Sequence, residues 1–222
     1  MDEALTPSIA AFDLDGTLTQ GGSVFPWLRD LAGTSAVLKA SLRLAGPLTV
    51  GAIRSGSSAD RAKERLFLDL LSGRDLEEVS DESRRFSLEH LEHAARTAVI
   101  ARLTWHREQG HDVVIVSASP QIYVDVVAEA LKATGALGTR LAVDPLGQLT
   151  GGYLGKNCRG TEKMRRLREW IDERHYGVEP VVYAYGNSRG DRRMLESATY
   201  PFNVGRLGFV GALRGYPRLP RG

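Results

Sequence analysis

The chain has 222 residues, of which 42% are hydrophobic and 25% charged, the composition of an ordinary globular protein. Its net charge of +2 gives no electrostatic reason to expect nucleic-acid binding, and its single cysteine, Cys158, excludes an internal disulfide and suits the reducing cytoplasm. No stretch reaches the roughly 18 apolar residues of a membrane span, and the first residues lack the basic and apolar parts of a signal peptide. We therefore expect a cytoplasmic protein with no membrane span.

Three apolar runs predict buried strands of a sheet. They cover residues 8–14, 112–119 and 180–187, and residues 141–144 and 201–205 are weaker strand candidates. The runs are apolar almost throughout rather than alternately, which is typical of strands buried on both faces. This pattern predicts a parallel sheet covered by helices.

Helical patterns lie between these strands, at residues 120–135, 161–175 and 190–198. The first begins at Pro120 and ends at Gly135, the residue types that commonly begin and end helices. Strands and helices in alternation predict an α/β fold with a doubly wound, Rossmann-like core.

The interval 21–105 departs from this alternation, because it contains helical patterns and no convincing strand. We interpret it as an inserted all-helical cap domain, and residues 1–20 and 106–222 as the α/β core domain. Its apolar residues, among them Phe25, Trp27 and the stretch 42–53, are expected to form the cap interior. The alternative is that they line an apolar substrate pocket.

Six polar side chains follow the predicted strands or begin a helix. They are Asp13, Asp15, Ser117, Lys163, Asn187 and Asp191. Ligands of open α/β sheets bind at the carboxyl ends of the strands, so we expect these side chains to share one site. Carboxylate and carbonyl oxygens suit Mg²⁺, and ammonium, hydroxyl and backbone N–H groups suit a phosphate.

Four motifs built on these residues resemble those of the haloacid dehalogenase superfamily of aspartate-based phosphatases. "DLDGT" (13–17) matches the first motif, "VVIVSAS" (113–119) the second, Lys163 the third and "YGNSRGDRRML" (185–195) the fourth. The nearest branch is subfamily IB, which is phosphoserine-phosphatase-like and carries a helical cap between the first two motifs. The resemblance implies a Mg²⁺-dependent hydrolase of a small phosphomonoester.

The resemblance also implies two different roles for the two aspartates of the first motif. Asp13 is the expected nucleophile, which forms an aspartyl-phosphate. Asp15 is expected to protonate the leaving oxygen and then to activate water. Mg²⁺ is expected at Asp13, at the backbone carbonyl of Asp15 and at the fourth motif.

Phosphate binding is assigned by the same resemblance to Ser117, Ala118, Lys163 and Leu14, while Gly16 and Thr17 are expected to shape the loop. Two nearby residues, Lys156 and Arg159, are alternatives to Lys163, but we favour Lys163 because it begins a helix with an apolar face.

The fourth motif departs from the usual pattern, because most members carry aspartate where this chain has Asn187. A neutral carbonyl oxygen can still bind Mg²⁺, and Asp191 lies four residues further on. The sequence leaves open which of the two is the main metal ligand. Two other functions remain as alternatives, namely a phosphotransferase of the same fold and a catalytically inactive phosphate-binding or scaffold protein.

Overall fold

The computed structural model describes residues 6–45, 56–205, 213 and 215–219. Its main sheet has five parallel strands in the order β3-β2-β1-β6-β7, and β4 and β5 form a separate antiparallel pair. The strands are β1 (Ser8–Phe12), β2 (Asp112–Pro120), β3 (Gly135–Thr139), β4 (Leu141–Val143), β5 (Leu149–Tyr153), β6 (Val181–Gly186) and β7 (Tyr200–Asn203).

Helices cover the sheet and fill the interval after β1. They are α1 (Val24–Ala32), α2 (Thr34–Ala45), α3 (Gly56–Leu71), α4 (Leu76–Ala94), α5 (Thr97–Glu108), α6 (Gln121–Ala130), α7 (Thr161–Asp172) and α8 (Arg192–Glu196), the last preceded by a 3-10 turn, Arg189–Asp191. A parallel sheet with helices around it and a helical insert confirms the predicted fold class. Within the described ranges, none of the helices has the length and hydropathy that crossing a bilayer requires.

The central strand β1 is buried on both faces. Ala10 and Phe12 pack into the cluster that includes α5, α6 and the insert, while Ile9 and Ala11 pack against residues of α7 and α8. Phe12 pairs with Ile115 of β2 and with Tyr185 of β6. This register brings the carboxyl ends of the three strands to one edge, where the predicted site residues follow.

The chain leaves the sheet and returns to it at neighbouring points. The Gln20 N–H donates to the Ala94 carbonyl at 2.7 Å, and the Arg96 N–H donates to the Leu18 carbonyl at 2.8 Å. The helices α1–α4 therefore form an excursion whose two ends are tied together. The predicted boundary at residue 105 falls inside α5, which packs on β2, and the division into domains stays a prediction.

The structure corrects one prediction about β3 and confirms one about β4. The helix predicted for 120–135 ends at Ala130, and residues 135–139 form β3. Gly135 and Gly138 fit there because a Cβ would lie 2.4 Å from Trp170 Nε1 and 2.6 Å from Gln121 Cα, respectively. Such glycines weaken the sequence pattern of a strand. The weak candidate at 141–144 is a strand, but it pairs with β5 rather than joining the main sheet.

The interior of the insert is partly as expected. Trp27 is buried, and its indole N–H donates to Ser83 Oγ at 2.9 Å. Phe25 does not belong to that interior, because it is 53% exposed on the outer side of α1. Residues 46–53 of the predicted apolar stretch lie outside the described residues.

A buried histidine supports β6 directly beneath the site. His106 Nε2 lies 2.8 Å from the Tyr185 hydroxyl, and His106 Nδ1 lies 2.7 Å from His111 Nδ1. The Arg102 Nε–H also donates to the Tyr185 hydroxyl. Burial, together with the nearby Arg102 and His111, lowers the pKa of His106 from 6.5 to about 3. The histidine is therefore neutral in the folded protein at physiological pH.

We expect this group to make the protein acid-sensitive. Below pH 6.5 this histidine is protonated in the unfolded chain, whereas in the folded protein it stays neutral down to about pH 3. The free energy of unfolding therefore falls by up to about 1.4 kcal/mol per pH unit between these two values. Urea unfolding between pH 4.5 and 7.5 should show a shallower decline in His106→Gln. The exposed control His93→Gln should retain the wild-type slope, and an unchanged slope in His106→Gln would contradict the prediction.

Candidate active site

The loop after β1 places Asp13 at the bottom of the site. The Asp13 N–H donates to the Tyr185 carbonyl at 2.9 Å, which continues the β1–β6 pairing by one residue. Thr17 Oγ1 donates to Asp13 Oδ2 at 2.8 Å, and Lys163 Nζ donates to Asp13 Oδ1 at 2.7 Å. Both carboxylate oxygens are thereby oriented by fixed donors.

Lys163 connects two segments that are distant in sequence. Its side chain is 2% exposed, and its ammonium donates to Asp13 Oδ1 and, at 2.6 Å, to Asp191 Oδ1. Burial and the charge of Asp191 raise the pKa of Asp13 to about 7, and Lys163 opposes that rise. Although burial alone would lower it, the two carboxylates hold the pKa of Lys163 above its usual range. The lysine therefore remains charged.

The loop after β6 is organised by Asp191 from the 3-10 turn. Asp191 Oδ2 accepts from the N–H groups of Asn187 and Ser188, at 3.1 and 2.9 Å, and from Ser188 Oγ at 2.8 Å. Because its other oxygen binds Lys163, all of the Asp191 carboxylate is engaged. The arrangement fixes the loop and the lysine together.

Asn187 has a different environment from Asp191. Its side chain lies over Gly16, where a Cβ would come within 2.0 Å of Asn187 Nδ2. Gly16 also has a φ of +80°, which glycine adopts readily. Asn187 Oδ1 is buried without a hydrogen-bond partner among the described residues, an arrangement that leaves this oxygen available to a cation.

Asp15 is bound by a backbone N–H and a hydroxyl group rather than by Lys163. Asp15 Oδ1 accepts from the Ser23 N–H at 2.8 Å, and Asp15 Oδ2 accepts from Ser119 Oγ at 2.6 Å. The two serine hydroxyls lie 3.1 Å from each other. The two aspartates of the first motif thus have different partners, which permits different chemical roles.

The predicted phosphate-binding residues surround the Asp13 loop. Ser117 is buried at the end of β2, and its Oγ accepts from the Ser119 N–H at 3.0 Å. Ala118 follows it and is only partly buried. Leu14 is buried, and its carbonyl accepts from the N–H groups of Thr17 and Thr19. Of the alternative cations, Lys156 is exposed and Arg159 pairs with Asp60 at 3.2 Å.

The sequence analysis missed several residues that shape this site, among them Ser23, which donates to Asp15. Ser119 follows Ser117 at the strand period of two, a signal that could have identified it. Arg96 donates to the carbonyls of Gly16 and Thr17 from the point where the chain returns to the sheet. Lys63 of α3 donates to the Ala118 carbonyl at 2.8 Å. Nothing in the pattern of α3 distinguishes Lys63 from the other charged residues of that helix.

His90 of α4 is partly buried beside the aromatic residues of that helix. Its ring stacks on Phe86 with centroids 5.4 Å apart, and its Nε2 is buried without a partner among the described residues. His93, three residues further on, is exposed. No group of three or more His, Cys, Asp and Glu suited to a metal occurs in the described part of the chain.

Comparisons with known proteins show the family to which the chain belongs. A model of the haloacid dehalogenase-like hydrolase family matches residues 10–196. Protein CicA of Caulobacter vibrioides is 34% identical over 194 residues, which cover 86% of this chain and 83% of that protein. A probable phosphatase of Mycobacterium tuberculosis is 32% identical over 222 residues, covering 95% and 74%, respectively.

Solved structures share the fold. A phospho-aspartyl intermediate analogue of phosphoserine phosphatase superposes with a TM-score of 0.61 at 20% identity, over 90% of this chain and 87% of that chain. At that identity the likeness concerns the arrangement of helices and strands. It agrees with a parallel sheet carrying a helical insert.

Removing the Lys163 ammonium should leave two buried carboxylates without their cation. We expect Lys163→Met to lower the unfolding free energy by about 3–5 kcal/mol at pH 7.5, measured by urea denaturation in the presence of a chelator. The control Lys156→Met removes an exposed ammonium seven residues earlier in the chain, and it should change stability by less than about 0.5 kcal/mol. Equal effects of the two variants would show that Lys163 is not the buried counter-charge.

Proposed function

Because this chain belongs to the haloacid dehalogenase-like hydrolase family, we propose that it is a Mg²⁺-dependent phosphatase that hydrolyses a small phosphomonoester through an aspartyl-phosphate. One observation carries the proposal, namely the different partners of the two neighbouring aspartates. Asp13 is held by Lys163 and Thr17, whereas Asp15 is held by Ser119 and the Ser23 N–H. Such a division suits a nucleophile and a separate acid–base residue.

In the first step, a carboxylate oxygen of Asp13 attacks phosphorus and forms a new P–O bond. The bond between phosphorus and the ester oxygen breaks, and Asp15 donates a proton to the departing oxygen. Lys163 keeps the Asp13 carboxylate in position for this attack. Ser117, the Ala118 N–H and Lys163 are proposed to hold the non-bridging oxygens.

In the second step, the ionised Asp15 takes a proton from a water molecule. The hydroxide so formed attacks phosphorus, and the bond between phosphorus and the Asp13 oxygen breaks. Inorganic phosphate leaves, and the Asp13 carboxylate is restored. Covalent catalysis divides one difficult displacement into two easier ones. The Ser119 hydroxyl and the Ser23 N–H hold the Asp15 carboxylate in one orientation. This orientation suits both of its roles, proton donor in the first step and proton acceptor in the second.

The residues present fit a magnesium ion. Asp13, the backbone carbonyl of Asp15 and Asn187 would hold it, and the buried, unpartnered Asn187 Oδ1 supports that assignment. When bound, the ion neutralises negative charge between the carboxylate and the phosphoryl group. We assign Asp191 to positioning Lys163 and the loop, because its two oxygens accept four hydrogen bonds, from Lys163, the Asn187 and Ser188 N–H groups and the Ser188 hydroxyl, whereas Asp13 accepts only two among the described residues.

The competing functions have less support. A catalytically inactive phosphate-binding protein has no need of Asp15 with two dedicated donors. A relative that is 32% identical is named a probable phosphatase, which supports hydrolysis over transfer to an alcohol. We propose the cytoplasm as its location, since the single cysteine, Cys158, is buried and unpaired.

The nucleophile can be tested with p-nitrophenyl phosphate and Mg²⁺, with and without chelator. Asp13→Asn removes the attacking charge and preserves shape, so we expect turnover to fall at least about 10³-fold. The exposed control Asp172→Asn should retain full activity. Borohydride reduction of the working enzyme should also modify Asp13, read by peptide mass spectrometry. Substantial turnover by Asp13→Asn would rule out the covalent mechanism.

Whether Asn187 is a metal ligand can be tested by replacing it with aspartate, the residue that most members carry at this position. Asn187→Asp should tighten Mg²⁺ binding roughly tenfold, because one more negative charge at a partly exposed site is worth on the order of 1 kcal/mol. Calorimetric titration with Mg²⁺ reads the affinity without substrate. An unchanged affinity, together with lost binding in Asp191→Asn, would make Asp191 the ligand instead.

A further inference from the structure

A cation from the helical insert reaches the second motif. Lys63 of α3 extends its ammonium to the Ala118 carbonyl at 2.8 Å and to Asn157 Oδ1 at 2.7 Å. The rings of Phe67 and Tyr153 lie 5.8 and 5.5 Å from the same nitrogen. In the described part of the chain no salt bridge reaches Lys63. The ammonium is thus bound by two neutral oxygens, which is unusual for a partly buried charge.

The carbonyl that Lys63 binds belongs to a peptide with two functions. The Ala118 C=O and the Ser119 N–H are parts of one planar unit. The Ser119 N–H donates to Ser117 Oγ at 3.0 Å, so the peptide is held at both ends. Thr139 Oγ1 lies 2.8 Å from the Ala118 carbonyl and 2.8 Å from Asn157 Oδ1, and its single proton can serve only one of them. Lys63 is therefore the charged donor that fixes the carbonyl.

The orientation of this peptide decides where two hydroxyls point. Ser117 Oγ accepts from the peptide N–H, which leaves its own proton free to donate. Ser119 Oγ donates to Asp15 Oδ2 at 2.6 Å. A rotation of the Ala118–Ser119 peptide would move both serines, and with them a phosphate ligand and the partner of the acid–base residue.

We propose that Lys63 is a positioning residue, through which acid–base catalysis by Asp15 depends on how the helical insert packs against the sheet. Through the Ala118 carbonyl it keeps Ser117 aimed at the phosphoryl group and Ser119 on Asp15. Burial lowers the pKa of Lys63 to about 8, and the charges of Asp60 and Asp15 oppose this, so the ammonium persists at neutral pH. This inference rests on the proposed phosphatase activity.

Two substrates of similar shape, p-nitrophenyl phosphate and phenyl phosphate, distinguish positioning from general structural support. Phenoxide is the more basic leaving group and depends more on a proton from Asp15. In Lys63→Met we expect kcat for phenyl phosphate to fall on the order of 10²-fold and kcat for p-nitrophenyl phosphate to fall less than about tenfold. The control Arg65→Met, on the outer side of the same helix in a salt bridge with Asp69, should leave both rates unchanged.

The outcomes separate the two proposals. If the wild-type enzyme hydrolyses both esters but Lys63→Met lowers both rates equally, Lys63 is merely structural and the inference is overturned. If the wild-type enzyme hydrolyses neither ester with Mg²⁺, the proposed function fails and the inference fails with it. Should Lys63→Met not fold, Thr139→Val removes the second donor beside the same carbonyl from within the sheet. A selective loss on phenyl phosphate then supports the inference, and an equal loss overturns it.

Discussion

The site depends on one buried ammonium placed between two carboxylates. Lys163 is held by Asp13 and Asp191, at 2.7 and 2.6 Å, and all three side chains are nearly inaccessible to solvent. Without Lys163 the two carboxylates would have no counter-charge in a low-dielectric site, which costs several kcal/mol. The triad therefore joins the end of β1, the first turn of α7 and the loop after β6 into one rigid unit.

A second set of contacts connects that unit to the helical insert. Arg96 binds the carbonyls of the Asp13 loop at the point where the insert ends. Ser23, directly before α1, binds Asp15. Lys63, on α3, binds the peptide that bears Ser119. The insert thus contacts the catalytic loops at three separate places. Its position affects Asp15 more than Asp13, because the partners of Asp13 are Thr17 and Lys163, which lie outside the insert.

Prediction from sequence succeeded where local pattern and chain order decide the outcome. The apolar runs that became β1, β2 and β6 are buried on both faces, and a parallel register brings the residues after them to one edge. Prediction failed at β3, where Gly135 and Gly138 replace the β-branched residues that mark a strand. Their absent side chains admit Trp170 and the start of α6, and no local pattern reports such long-range packing.

The sequence by itself determined the sheet, the presence of a helical insert and the chemistry of the residues at the strand ends, because periodicity and residue type are local properties. Tertiary structure alone decided that Asp191 accepts a hydrogen bond from Lys163, while Asn187 Oδ1 has no hydrogen-bond partner among the described residues. It alone decided that Lys63, among the basic residues of α3, contacts the Ala118 carbonyl and that His90 stacks on Phe86. These assignments depend on how the insert packs against the sheet, and contacts between residues some 30 to 150 positions apart leave no mark on the neighbouring sequence.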